Sequence, residues 1–137
     1  IDLLINAPIV SQLNRILKQM DIDIITLSSG DKKYMGIIRI KKDEKYRRID
    51  ILYTSPDEYP FAVCYFTGSK KFNTKMRARA LVKGFTMNEH EIKLKNGDRI
   101  TSKDIMKRVG KNEITIEKDV FKFLEMEYVK PLARNVI

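Results

Sequence analysis

The chain has 137 residues, 43% of them hydrophobic and 33% charged, which suffices for one ordinary domain or two small lobes and excludes a peptide-sized scaffold needing covalent staples. Its 27 Lys and Arg against 18 Asp and Glu leave a formal charge of +9, which favours a polyanion, nucleic acid above all, as partner. An anionic membrane is the poorer fit, because the basic residues are interleaved with strands and turns and no apolar run approaches bilayer-spanning length.

The opening run, Ile1-Asp2-Leu3-Leu4-Ile5, is strand-like, with neither a signal peptide nor a cap before it, as expected of a truncated chain that begins inside a structural element. Helical spacing follows over residues 8–20, with apolar Ile9, Val10, Leu13, Ile16, Leu17 and Met20 and with Pro8 suited to the first turn. Residues 22–27 read as a strand, 28–31 as a turn, 33–40 as a second strand and 41–45 as a charged turn leading into the strand Arg47-Arg48-Ile49-Asp50-Ile51-Leu52-Tyr53. Strands joined this closely predict an antiparallel meander.

The pattern changes at Ser55-Pro56-Asp57, which predicts a helix start with Asp57 or Glu58 in the first turn and sets a boundary between residues 1–56 and 57–137. Residues 60–66 are apolar all round, and 72–83 predict a helix with Phe72, Met76, Ala80 and Leu81 on one side, stopped by Gly84. Residues 85–94 read as a strand, Asn96-Gly97 as a hairpin turn and 117–124 as a short helix before Tyr128 and Pro131.

Cys64, the single cysteine, lies in the apolar run Phe61-Ala62-Val63-Cys64-Tyr65-Phe66, which predicts a buried free thiol and a reducing, intracellular compartment. His90 is the single histidine, so zinc sites built from several Cys and His ligands are excluded, as is a nucleophile served by a histidine base. Any chemistry rests on carboxylates.

In the strand at 47–53 a period of two puts Arg47, Ile49, Ile51 and Tyr53 on one face and Arg48, Asp50 and Leu52 on the other. Asp50 beside Arg48 fits either a solvated sheet face with a weak ion pair or a carboxylate with a task. Asp2 holds the same place in Ile1-Asp2-Leu3-Leu4 as Asp50 does in Ile49-Asp50-Ile51-Leu52, although Asp23 in Ile22-Asp23-Ile24-Ile25 shows the same pattern. If the strands of Asp2 and Asp50 pair, their carboxylates lie about 5 Å apart. Their repulsion is then about 3 kcal/mol at an effective dielectric of about 20. A divalent cation reverses that sign, and an all-oxygen site suits magnesium.

Tyr65-Phe66-Thr67-Gly68-Ser69, then Phe72-Asn73 and Met76-Arg77-Ala78, resembles the nucleotide-selecting motif of the family X DNA polymerases, especially the beta and lambda types. The strand at 47–53 resembles the one carrying that family's third catalytic aspartate, and the stretch from Ser29 to Gly36 resembles the hairpin before it. The segment from Lys83 to Ile92 and the terminal run from Glu117 to Asn135 resemble the family's thumb and C-terminal segments, so that only residues 93–113 fit loosely.

The resemblance implies an α+β fold: a nucleotidyltransferase-type palm with an antiparallel or mixed sheet, partial in residues 1–56, and a small α/β thumb in residues 57–137. It implies a DNA-directed DNA polymerase transferring a nucleotide from a dNTP to a primer 3'-hydroxyl by a two-metal mechanism, with Mg2+, replaceable by Mn2+, as cofactor. Asp2 and Asp50 would be metal ligands, Asp50 also assisting deprotonation of the primer end, with Arg48 as its orienting partner. Tyr65 and Phe66 would wall the incoming sugar, Thr67 and Gly68 would form the tight turn against the nucleotide, and Asn73 would hydrogen-bond the incoming base on its minor-groove side. Minor-groove acceptors occur on every correct pair, so such a contact tests shape without reading sequence.

Arg77 would probe the template side of the nascent pair, and the DNA groove would run past Lys32, Lys33, Arg77 and Arg79. The Tyr65-Phe66 pair, in place of the Gly-Trp of template-independent members, implies templated synthesis. The implied partners are a primer-template or gapped DNA and a dNTP, for a monomer acting in repair in the nucleus or at a viral replication site.

Two departures stand out. Lys70 occupies a position that is acidic in beta-type enzymes. The first catalytic aspartate, the glycine-serine triphosphate loop and the lyase domain would lie before Ile1, from which little primer extension by this chain alone is expected. The alternative is a non-catalytic nucleic-acid-binding module on the same fold, and a third reading is an interaction domain with a solvated basic face.

Overall fold

The computed structural model describes residues 1–7, 12–40 and 45–135 and divides into two compact units, Ile1–Ser55 and Pro56–Ile137. Elements run in chain order as β1 (Asp2–Ile5), α1 (Leu13–Gln19), β2 (Asp23–Ser29), β3 (Lys33–Arg39) and β4 (Arg47–Tyr53) in the first unit. The second holds α2 (Tyr59–Thr67), α3 (Lys70–Val82), β5 (Phe85–Met87), β6 (Ile92–Leu94), α4 (Ser102–Val109), α5 (Glu117–Phe123) and a terminal 3-10 turn (Pro131–Asn135). Both units mix helix and sheet, and among the described residues no helix is long and apolar enough to cross a membrane.

The sheet of the first unit has the order β1-β4-β3-β2, in which the meander β2-β3-β4 is antiparallel and β1 joins β4 in parallel. Alternation decides its faces: Ile49 and Ile51 of β4 and Tyr34 and Ile38 of β3 point inward and are buried together with Leu13 and Leu17 of α1. Gly36 makes room on that face, because a Cβ there would stand 2.8 Å from the Tyr34 hydroxyl and 3.0 Å from the Ile25 carbonyl. The Tyr34 hydroxyl reaches the Thr26 hydroxyl at 3.0 Å. The register of β2 slips between Thr26 and Ser28, a bulge that carries the strand on through Ser28 and Ser29, which the sequence assigns to the turn. Of the residues expected on the buried side of the first helix, Met20 is exposed, because α1 ends one residue before it. Pro8, Ile9 and Val10, and the charged turn from Lys41 to Glu44, lie outside the described residues.

In the second unit the core gathers Phe61 and Cys64 of α2, Phe72, Met76 and Ala80 of α3, Phe85 and Ile92 of the hairpin, Val109 of α4 and Val120, Phe121 and Phe123 of α5. Cys64 is a free, buried thiol whose pKa burial pushes up. α2 starts at Tyr59, later than Pro56-Asp57 predicts: residues 56–58 form a turn, and neither Asp57 nor Glu58 lies within the helix. Leu81, expected with Phe72, Met76 and Ala80, is exposed. It is nine residues beyond Phe72, half a rotation away at about 100° per residue, whereas Met76 and Ala80 keep the spacing of four.

The strand expected over 85–94 is a hairpin, β5 paired antiparallel with β6. Asn88 breaks it by accepting the backbone N–H groups of His90 and Glu91 on its side-chain oxygen at 2.8 and 2.9 Å. The loosely fitting segment holds α4. Its capping box is closed by the Thr101 hydroxyl, which accepts the Asp104 N–H at 3.2 Å, and by the Asp104 carboxylate, which accepts the Thr101 N–H at 2.9 Å.

Candidate functional site

The parallel register of β1 and β4 sets Asp2 directly opposite Asp50, so both side chains leave the sheet on the same face, with strands about 4.8 Å apart. The Asp50 N–H donates to the Ile1 carbonyl at 2.9 Å, and Arg48 Nε donates to Asp50 Oδ1 at 2.8 Å. Asp2 is exposed, and the Asp50 side chain is 26% exposed. The reverse face of β4 is the buried pair Ile49 and Ile51, so turning these carboxylates inward would require a one-residue slip that ejects the core.

Asp23, which shares the sequence pattern, is elsewhere. It pairs with Arg39, whose Nε donates to Asp23 Oδ2 at 2.9 Å, and it stands two strands across and four residues along from Asp50, on the order of 16 Å away. Among the described residues no group of three or more His, Cys, Asp or Glu side chains gathers that could hold a metal ion. Lys33, opposite Leu52, shares the face of Asp50, whereas Lys32 gives its carbonyl to the Tyr53 N–H at 2.8 Å; both lysines are exposed.

In the second unit, Tyr65, Phe66, Thr67, Gly68, Asn73 and Arg77 line one side of a surface groove around the end of α2 and the start of α3. Tyr65 and Phe66 meet edge to face at 5.1 Å and stay 38% and 54% exposed, where core aromatics would be covered. Gly68 ends α2 at φ +64° and ψ −151°, a region that residues with a Cβ rarely enter. Ser69 then caps α3, its hydroxyl accepting the Phe72 N–H at 3.3 Å. Asn73 donates one side-chain N–H to the Tyr65 carbonyl at 2.8 Å, which leaves the second N–H of its amide as a donor at the groove.

Arg77 lies over the Tyr65 ring at 5.5 Å and is 3.6 Å from the Glu89 carboxylate. Arg79, grouped with Arg77 by sequence, is two residues and about 200° around α3. Its guanidinium donates to the carbonyls of Leu124 and Glu125 at 3.1 and 3.2 Å, so it holds the end of α5 rather than the groove of Arg77. Arg108 and Lys83 join it on the Glu125 carboxylate, whose pKa is held low chiefly by Lys83.

Sequence reasoning missed two buried charges that brace this unit. Arg134 has no exposed side-chain surface; it donates to Glu117 at 2.6 Å and to the Val129 carbonyl at 2.9 Å and lies 5.1–5.7 Å from the rings of Phe72, Phe121 and Tyr128. Burial by itself lowers the guanidinium's pKa, and the Glu117 carboxylate more than offsets that. Asp119 is buried likewise, and burial pushes its carboxyl up. Lys111 at 3.0 Å and the N–H groups of Thr115 and Ile116 outweigh that and hold it below the usual carboxylate range. The signal for Asp119 was present, since a carboxylate three residues after Ile116 is the acceptor that a capping arrangement needs. Nothing local marks Arg134, whose partners are distant in sequence.

The family model described as DNA polymerase beta thumb matches residues 62–135. The chain is 34% identical to DNA polymerase lambda of Rattus norvegicus over 111 residues, 76% of this chain and 18% of that protein. It is 28% identical to DNA polymerase lambda of Arabidopsis thaliana over 79% of this chain and 20% of that protein. It is also 28% identical to Repair DNA polymerase X of African swine fever virus, over 98% of this chain and 71% of that protein. The chain thus spans about a fifth of the length of the two lambda polymerases. On the matched thumb and these relatives, the chain belongs to the family X DNA polymerases, with residues 62–135 as its polymerase beta-type thumb.

Proposed function

We propose that this chain serves templated, gap-filling DNA synthesis, transferring a nucleotide from a dNTP to a primer 3'-hydroxyl, with residues 1–56 acting as part of a palm and 57–137 as the thumb. The observation that carries the reading is the in-register pair Asp2 and Asp50. A structural sheet gains nothing from two like charges on adjacent strands, which repel across that spacing. The donor set is all oxygen and suits a hard divalent cation, so Asp2 and Asp50 would hold Mg2+ or Mn2+. When bound, the metal supplies charge neutralisation of the triphosphate and acidification of the primer hydroxyl.

The chain's own residues do the rest. Arg48 fixes the rotamer of Asp50 by holding Oδ1, leaving Oδ2 as the oxygen with which Asp50 assists removal of the hydroxyl proton. Tyr65 and Phe66 present ring edges where a ribose 2'-hydroxyl would project, favouring the deoxy sugar by exclusion, and the Gly68 turn admits close approach of backbone to nucleotide. The free Asn73 N–H donates to the minor-groove acceptor of the incoming base. Arg77 leaves Glu89 to test the nascent pair. Lys32 and Lys33 face duplex phosphates, and Lys70, at the groove, adds positive charge where beta-type enzymes are acidic. The name of the viral relative, a repair polymerase, supports repair as the setting.

The test is single-turnover incorporation by an active polymerase carrying this chain. Asp50→Ala abolishes incorporation while leaving DNA affinity nearly unchanged, because the carboxylate acts on the transition state. Incorporation close to that of the unmodified enzyme overturns the proposal and leaves a DNA-binding module.

A further inference from the structure

We propose that Arg134 is a positioning residue for the Gly68-Ser69 turn, acting through the hydroxyl of Ser69. The inference rests on the reading of that turn as a nucleotide site and extends it to a residue 65 positions away in the chain.

The Ser69 hydroxyl has two bonds. It accepts the Phe72 N–H, as a helix cap does, and it donates to the Arg134 carbonyl at 3.0 Å. A hydroxyl has one proton to give, so its direction is set by where the Arg134 carbonyl stands. The Arg134 side chain fixes that carbonyl. Its Nη1 is bound to Glu117 at the start of α5 and its Nε to the Val129 carbonyl, and its guanidinium faces the rings of Phe72 and Phe121, which themselves stack at 5.9 Å. Among the described residues Nη2 is buried with no hydrogen-bond acceptor, and aromatic faces are what that group meets.

A guanidinium fully removed from water, with one nitrogen left to ring faces, is a costly way to pin a short terminal turn, and hydrophobic residues of similar volume commonly do as well or better for stability alone. What an apolar residue would not reproduce is three fixed directions at once: toward α5, toward Val129, and toward Phe72 one turn into α3. The terminal 3-10 turn is thereby held as a strap across the start of α3, with Ser69 as the point of attachment. From Ser69 the constraint reaches the groove over two bonds, the Asn73 N–H to the Ser69 carbonyl at 2.8 Å and the Asn73 side chain to the Tyr65 carbonyl at 2.8 Å.

The test uses an active polymerase carrying this chain, titrated with dATP and Mg2+ and followed by the NMR resonances of the Gly68 amide and the Asn73 side-chain amide. Ser69→Ala and Arg134→Lys each weaken dATP binding by about tenfold, the scale of one hydrogen bond and its geometry. Both displace the two resonances in the same direction, and the double variant is no worse than the worse single one. Ser69→Thr, which keeps the hydroxyl, restores both affinity and resonances, and decides the matter should Arg134→Lys fail to fold.

Arg134→Lys that lowers the melting temperature without moving the resonances or the affinity assigns the residue to stability alone and overturns the inference, as does additivity in the double variant. Failure of the unmodified polymerase to bind dATP overturns the nucleotide reading instead, and the turn resonances still show whether Arg134 sets the geometry of Ser69.

Discussion

In the first unit Asp50 stands where the backbone puts it, with a strand on either side, two isoleucines behind and one partly exposed arginine contact. In the second, the turn from Tyr65 to Ser69 stands where side chains put it: Asn73 on the Tyr65 carbonyl, Ser69 on the Arg134 carbonyl, and Arg134 on Glu117. A residue placed by register can be changed with little harm to its surroundings, since the ladder remains when the side chain goes. A residue placed by a side-chain network transmits any change to its neighbours. Under the proposed function the carboxylate face is thus robust as structure and fragile as chemistry, whereas in the turn the two fail together.

The strongest way to break this contrast is Glu117→Ala, which strands the buried Arg134 charge and is expected to cost about 3 kcal/mol. Calorimetry or denaturant melts of the chain check it; a change below about 1 kcal/mol would make the pair as dispensable as a surface one. Next comes Gly68→Ala, whose backbone requirement costs on the order of 1–3 kcal/mol and distorts the groove, so that dATP affinity falls along with stability.

Acid sharpens the comparison. With the Asp119 carboxyl held below its ordinary value in the fold, the unfolded chain binds that proton more readily. The corresponding stability is present above about pH 4 and is lost as the pH falls through the depressed native value. Asp119→Asn should flatten this acid limb, read from melting temperature against pH, and an unaltered limb would remove Asp119 as its source. The smallest effect on folding is expected from Asp50→Ala, within about 0.5 kcal/mol, because a partly exposed carboxylate with one exposed arginine partner contributes little. A larger loss would show that the first unit, too, depends on its side chains.

The same division governs what could be read from sequence. Strand periodicity marked β1, β3 and β4, since it depends on near neighbours, whereas the register of Asp2 with Asp50 is a long-range pairing that their shared pattern, carried also by Asp23, does not decide. Two errors came from local signals weighed wrongly. Thr101 with Asp104 is a capping box and Gly110 a helix stop, yet α4 was not predicted, and Asn88 was overlooked as the breaker between β5 and β6. Arg79 was grouped with Arg77 by proximity in sequence, although two residues along a helix face different ways. Arg134 could not have been found this way, because its burial follows from rings contributed by three separate segments.

The bulge in β2 bears on behaviour in concentrated solution. Among the described residues β2 is an outer strand of its sheet, and Ile25 and Leu27 on it are each 52% exposed. An outer strand with apolar side chains is a template on which a second copy of the chain could add its own strand and start a filament. The slip between Thr26 and Ser28 breaks the even spacing that such an addition needs. An irregularity that looks like a flaw in the ladder therefore works as a guard against self-association.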